Sequence, residues 1–207
     1  AELRELRARR LESVAAELES VAGALPLAVA ELAQRLARVL PEGTIVVEEG
    51  VRASRTIFRH LGVPQGGAIW RSSGGSLGWG LPAAVGAKLA SPERPVVVLV
   101  GDGSLHFSIQ ALWSAVQQQA PVVAVVLDNR GYLAVKRAIE NLLQLDQDPR
   151  THPGTELHGI DHVLAARAYG AQGLRAERAE QVAEAVEAAL TQAGPTLIEV
   201  PVAQIRP

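Results

Sequence analysis

Between residues 44 and 200 the chain alternates short, unbroken β-branched runs with longer stretches whose apolar positions recur every three or four residues. The runs at 44–47, 96–100, 122–127 and 196–200 have no polar alternation, so each predicts a strand buried on both faces. Segments 54–61, 81–89, 105–118, 132–143, 161–169 and 179–189 carry the helical spacing, and weaker strands are predicted at 68–70 and 171–174. Strands that are apolar throughout and separated by helices imply an α/β fold. The expected architecture is a doubly wound, mostly parallel sheet of about six strands, with helices on both faces and right-handed crossovers between strands.

Ahead of this region, Leu3, Leu6, Leu11, Val14, Leu18 and Val21 form a helical stripe flanked by Arg and Glu. It predicts an amphipathic arm that Pro26 interrupts. A second helical pattern runs over 27–40 until Pro41 and Gly43 stop it. The predicted division is therefore a helical arm or linker from a preceding domain at 1–25 and the main domain at 26–207. The polar stretch 144–159, with two prolines and two histidines, reads as a mobile loop.

The 207 residues are 48% hydrophobic, enough for one sizeable core. Net charge is -2 and the 20 basic residues are dispersed, which argues against a nucleic-acid or anionic-membrane partner. The absence of cysteine removes disulfides, thiolate metal sites and cysteine catalysis, and makes a reducing, cytoplasmic setting the expectation. No apolar run approaches the roughly 18 residues of a membrane span. Methionine is absent even at position 1, which suggests a processed piece of a longer product, although removal of an initiator would give the same start.

In doubly wound sheets ligands bind where strands deliver their C-terminal ends, so the turns after Val100 and Leu127 are the places to search. The first is Gly101-Asp102-Gly103-Ser104. Its glycines permit a tight turn, Ser104 can cap the following helix, and helix-start amides suit a phosphate. Asp102 would then be a carboxylate beside an anion, a conflict that a divalent cation resolves. The second turn is Asp128-Asn129-Arg130-Gly131-Tyr132. With 25 residues between Gly103 and Asn129, one helix and one strand separate the turns, which can place them side by side. The Asp102 carboxylate, the Asn129 carboxamide oxygen and a carbonyl near Gly131 make three hard oxygen ligands for Mg2+, with positions left for diphosphate and water. Taken alone, each turn reads more readily as plain strand-to-helix punctuation, and only the two together, at strand ends one crossover apart, favour a metal-diphosphate site. A third feature, Gly74-Gly75-Ser76-Leu77-Gly78-Trp79-Gly80, enters the next helix and is not a dinucleotide fingerprint.

Histidines offer less. His60 reads as a surface helix residue and His106 as a helix-start residue near the first turn. His152, His158 and His162 have spacings that fit a solvated loop better than a zinc site. Trp70, Trp79 and Trp113 are expected in the core or at an interface.

The stretch GDGSLHFSIQALWSAVQQQAPVVAVVLDN resembles the cofactor signature of thiamine-diphosphate enzymes, in which a GDG motif is followed one crossover later by an asparagine pair. It looks closest to the benzoylformate decarboxylase group of 2-oxo-acid decarboxylases. The similarity extends over about 44–200, through SSGGSLGWGLPAAVGAKLASPER and GPTLIEV. Asp128 departs from the pattern, standing where the family usually has the first asparagine, and adds a carboxylate near the site.

The resemblance implies thiamine diphosphate and Mg2+ as cofactors. Asp102, Asn129 and the Gly131 carbonyl would bind the metal, and Gly103, Ser104 and Tyr132 would lie around the diphosphate. Leu77 would wedge between the cofactor's two rings, although a core leucine at a helix start is the plain alternative; Gly75 belongs to the same cofactor segment. Val51, Arg52 and Ser54 would approach the cofactor from the loop after the first strand, with an N-cap as the other reading of Ser54. Ala134 and Ala138 would face a 2-oxo acid substrate.

In that family the enzyme has three domains, and the similarity covers the last of them. The activating glutamate belongs to another domain, usually from a partner subunit, and Glu48 and Glu49 do not match it. The resemblance thus implies no catalytic residue in this chain and an isolated chain that is inactive. It also implies a pyrimidine-binding partner domain in the same protein or a second chain, and a homodimer or homotetramer. An acetolactate-synthase-like carboligase or oxidase, or a non-catalytic assembly subunit, are the alternatives.

Overall fold

A computed structural model of the chain describes residues 2–144 and 153–204. Six strands, β1 (Ile45–Glu49), β2 (Ala68–Arg71), β3 (Val96–Gly101), β4 (Val123–Asp128), β5 (Gln172–Arg175) and β6 (Thr196–Pro201), form one sheet in the order β2-β1-β3-β4-β6-β5. Every pairing is parallel, as the apolar runs require. The α/β doubly wound architecture is the one the hydrophobic pattern predicts.

Alternate residues of each strand serve opposite faces. Val97, Leu99, Val123, Val125 and Ile198 meet α2 (Val29–Val39), α3 (Ser54–Leu61) and α9 (Ala179–Leu190) on one side. Val96, Val98, Val100, Ala124, Val126 and Leu197 meet α4 (Gly80–Ala90), α6 (Ala111–Gln117) and α8 (His162–Ala168) on the other. Both faces being covered explains the missing polar alternation. Each buried Val or Leu contributes about 1.5–3 kcal/mol.

The helix predicted over 105–118 is two pieces. One turn, α5 (Asp102–Leu105), is followed by turns at 106–110 and then by α6. Tight i+3 bonds from Phe107 to Ser104 and from Ser108 to Leu105 carry the chain across the break. Ser104 lies inside α5 and does not cap it. The remaining helix, α7 (Leu133–Leu143), follows the second turn.

In α1 (Glu2–Val21) the first half of the stripe stays exposed, with Leu3 at 82%. Its second half docks on α3, where Glu17 pairs with Arg59 at 2.9 Å and with His60 at 3.1 Å. His60 is consequently buried, which corrects its reading as a surface residue. Trp70 and Trp113 are exposed and Trp79 is half-buried, so none of the three is a core residue. Among the described residues no helix is long and apolar enough to cross a membrane.

Candidate functional site

The strand order reverses direction between β1 and β3, which is where a doubly wound sheet opens a crevice at its carboxyl edge. Gly101 pairs with Leu127 in the β3–β4 register, so Asp102 and Asn129 leave the sheet side by side. Asp102 is 1% exposed. One carboxylate oxygen accepts the Gly103 N–H at 2.8 Å, and the other accepts the Gly131 N–H at 3.0 Å, which ties the two turns together. Asp128 accepts the Arg130 N–H at 3.0 Å and is also buried.

Burial, then the neighbouring Asp128 charge, raises the Asp102 pKa to about 6, against the bonds from Gly103 and Gly131 that lower it. Beside it the Asn129 Oδ1 is buried with no hydrogen-bond partner among the described residues. An orphaned carboxamide oxygen next to an under-compensated carboxylate is a donor set suited to a hard dication. The residues present therefore fit Mg2+.

Around these groups lies a cleft whose walls include Val51, Arg52, Leu77, Gly103, Ser104, Gly131, Tyr132 and Ala134. Val51 has φ 53°, an uncommon and strained conformation for a β-branched residue, at the cleft edge. Gly103 must be glycine, since a Cβ there would lie 2.7 Å from the Tyr132 ring. Ser54 and Gly75 line an adjoining hollow that shares Val51 and Leu77 with the cleft. Ser54 is not an N-cap: Ala53 holds that position, and the Ser54 hydroxyl donates to Glu48 at 2.8 Å. Leu77 is 43% exposed, which removes the core-leucine reading. Ala138, one turn beyond Ala134 on α7, is exposed and does not line the cleft.

Residues 53–200 match the family model described as thiamine pyrophosphate enzyme, C-terminal TPP binding domain. The chain belongs to the thiamine pyrophosphate enzymes. It is 37% identical over 167 residues to benzoylformate decarboxylase of Pseudomonas aeruginosa, covering 81% of this chain and 31% of that protein. Acetolactate synthase isozyme 3 large subunit of Escherichia coli is 36% identical over 126 residues, 59% of this chain and 21% of that protein. Among solved structures, the thiamine diphosphate-dependent 4-hydroxybenzoylformate decarboxylase of Rhodococcus jostii superposes with a TM-score of 0.80 at 37% identity, over 88% of this chain and 34% of that one. The chain thus spans about a third of the length of these decarboxylase relatives.

Several residues of this thiamine pyrophosphate domain escaped sequence reasoning. The Glu49 carboxylate accepts the N–H groups of Gly78 at 2.5 Å and Gly80 at 2.6 Å, clamping the turn that presents Leu77. Glu48 accepts the Gly50 N–H at 2.6 Å and so shapes the Val51 turn. Lys136, buried on α7, pairs with Glu156, while Tyr132 donates its N–H to the Thr155 carbonyl at 2.8 Å; together these strap the Asp128–Tyr132 turn. The only local signal was two adjacent acids ending an apolar strand. His162, read as solvated loop, is 2% exposed and opens α8; His106 lies 3.3 Å from it, ring nitrogen to ring nitrogen. His158 is exposed, and His152 is outside the described residues.

Proposed function

We propose that this chain is the diphosphate- and Mg2+-binding portion of an enzyme that decarboxylates 2-oxo acids of the benzoylformate type to aldehydes. In this reading Asp102, Asn129 and the Gly131 carbonyl hold the metal. Gly103, Ser104 and Tyr132 surround the diphosphate. Leu77, Gly75, Val51, Arg52 and Ser54 border the cofactor's ring portion, and Ala134, with Ala138 farther out, lies toward the substrate. Bound thiamine diphosphate supplies a nucleophilic carbon and an electron sink for loss of carbon dioxide. This chain contributes placement: Asp102 and Asn129 fix the metal, and the Glu49-clamped turn fixes Leu77.

The observation that carries the proposal is the unpartnered Asn129 Oδ1 beside Asp102. The similarity to benzoylformate decarboxylases supports the substrate class. Residues 26–207 form the cofactor domain, with 1–25 as an arm. The activating glutamate comes from a pyrimidine-binding domain in the same protein or a second chain, and the isolated chain is inactive. Assembly as a homodimer or homotetramer in the cytoplasm completes the picture. Calorimetric titration with thiamine diphosphate and Mg2+, with the pyrimidine-binding domain supplied, is expected to show binding that Asp102→Ala abolishes. Retained binding in that variant overturns the metal assignment.

The similarity to acetolactate synthase supports a second reading, a carboligase of the same family. Product analysis with benzoylformate and pyruvate separates them, since acetolactate without aldehyde excludes the decarboxylase.

A further inference from the structure

Next to the Asp102 turn, with Asp128 in contact with the Asp102 carboxyl, Asp128, His162 and Glu199 converge. We infer that these three residues form a second, buried cation site for a first-row transition dication such as Zn2+, distinct from the Mg2+ site and independent of the decarboxylase reading. One ligand atom from each residue lies within 4.8 Å of the other two, and all three residues are buried.

The fold builds this constellation deliberately. Leu127 pairs with Val200 in the β4–β6 register, and Val126 pairs with Glu199. Val126 and Leu197 pack on the α8 face of the sheet, so the strand alternation directs Asp128 and Glu199 to that same face. His162 is the first residue of α8 and meets them there. Exposure is 6% for Asp128, 2% for His162 and 3% for Glu199.

His162 is poised as a ligand. Its Nε2 lies 3.3 Å from Nε2 of His106, so one ring nitrogen is occupied by an outer partner. The other, Nδ1, is buried with no hydrogen-bond partner among the described residues and lies 3.6 Å from a Glu199 carboxylate oxygen. Metal-bound imidazoles are commonly oriented this way, with the far nitrogen held by a second group. Burial and then the His162 charge hold the His106 pKa below the usual histidine value, which favours its neutral form.

The local field attracts cations. Burial alone would lower the His162 pKa, yet Glu199, Asp128 and Asp102 together raise it. A dication gains from the same charges. Among the described residues Arg175 faces them, its Nη1 3.2 Å from Glu199 and its side chain 42% exposed. One imidazole nitrogen with two carboxylates suits Zn2+ and its first-row neighbours better than Mg2+, and three protein ligands leave a position for water. An ion here would also offset the carboxylate that Asp128 adds next to Asn129.

The test uses this chain without thiamine diphosphate. After equilibration with Zn2+ in excess Mg2+ and dialysis, elemental analysis is expected to find about one zinc per chain. His162→Gln and Glu199→Gln should lose it. His106→Ala should weaken it by about 10–100-fold. His158→Ala, an exposed histidine elsewhere, should change nothing. Asp102→Ala should keep the zinc while losing Mg2+, which separates a failure here from a failure of the decarboxylase reading. Circular dichroism checks that each variant folds, and the visible spectrum of bound Co2+ in the unmodified chain reports a mixed nitrogen–oxygen shell without any substitution. No retained zinc, zinc retained equally by both Gln variants, or a Co2+ spectrum showing only hexa-aquo-like coordination overturns the site.

Discussion

Glu49→Ala removes one acceptor from two backbone donors, Gly78 N–H at 2.5 Å and Gly80 N–H at 2.6 Å. Gly80 is buried and Gly78 half-buried, so water replaces the lost bond only at Gly78. A hydrogen bond to an ionised group is worth about 1.5–3 kcal/mol, so one full and one partial loss come to about 2–4 kcal/mol. An opposing effect reduces this. Burial holds the Glu49 pKa above its ordinary 4.5, with the Glu48 charge adding to it, despite the bonds from Gly80, Gly78 and Trp79. The ionised carboxylate is therefore a cost that alanine removes, and the net destabilisation near neutral pH is about 1–3 kcal/mol. The sign of the pH dependence follows. A carboxyl with a raised folded pKa contributes stability that is present below the unfolded value and lost as pH rises through the folded one. Unfolding by urea should show that decline for the unmodified chain over the acid range and a flatter curve for the variant. Amide exchange should accelerate at Gly78 and Gly80 while the later turns of α4 stay protected. Unchanged exchange at both amides, or a stability within about 0.5 kcal/mol of the parent, refutes the clamp.

The metal-free chain should also lose stability as pH rises from the ordinary Asp102 value of 3.8 through its folded value of about 6, because the raised pKa favours the protonated form. Mg2+ affinity should climb over the same interval, since the metal takes the carboxylate; thermal unfolding with and without Mg2+ checks both. Asp128→Asn removes the like charge and should raise metal-free stability near neutral pH while moving the Asp102 midpoint down, followed by carboxyl NMR titration. Gly103→Ala places a Cβ 2.7 Å from the Tyr132 ring and should cost about 1–3 kcal/mol, measured by urea unfolding, together with cofactor affinity. Ala134→Leu should obstruct the cleft and weaken cofactor binding by calorimetry, whereas Ala138→Leu, outside the cleft, should leave it unchanged.

The parts of the fold that were legible are those set by local composition. Val96–Val100 reads as a buried strand because both of its faces are apolar, and both are covered. The Gly101–Ser104 and Asp128–Tyr132 turns were locatable because a parallel sheet brings successive strand ends together. Failures came where a side chain's fate depends on a distant partner. His60 is buried because Glu17, 43 positions earlier, meets it, and nothing in SRTIFRHL signals that. His162 is inside because Glu199 and His106 meet it from β6 and the end of α5. Glu49 acts on amides 29 and 31 positions away. The 105–118 segment keeps helical spacing, yet the chain tightens after Leu105, which places Phe107 against Gly78. That close approach and a φ of +83° make glycine necessary at 78, a requirement set by tertiary packing.

Five buried acids, Glu48, Glu49, Asp102, Asp128 and Glu199, crowd the carboxyl edge of this sheet, and the way each is satisfied separates scaffold from site. Glu48 and Glu49 are answered by backbone amides that shape the two loops flanking the cleft. Glu199 is answered by Arg175 and faces the unpartnered nitrogen of His162. Asp102 is bonded by two amides and still has its pKa raised, with Asp128 beside it and an orphaned Asn129 oxygen at the same cleft. Removing charge or filling the gap with apolar groups would cost the metal-free fold little, because buried ionised groups seldom repay their desolvation. Such unresolved electrostatics concentrate where a sequence serves binding at the expense of stability. The location of the mismatch, at the ends of β3 and β4 beside the point where the strand order reverses, is what a site completed by a bound cation requires.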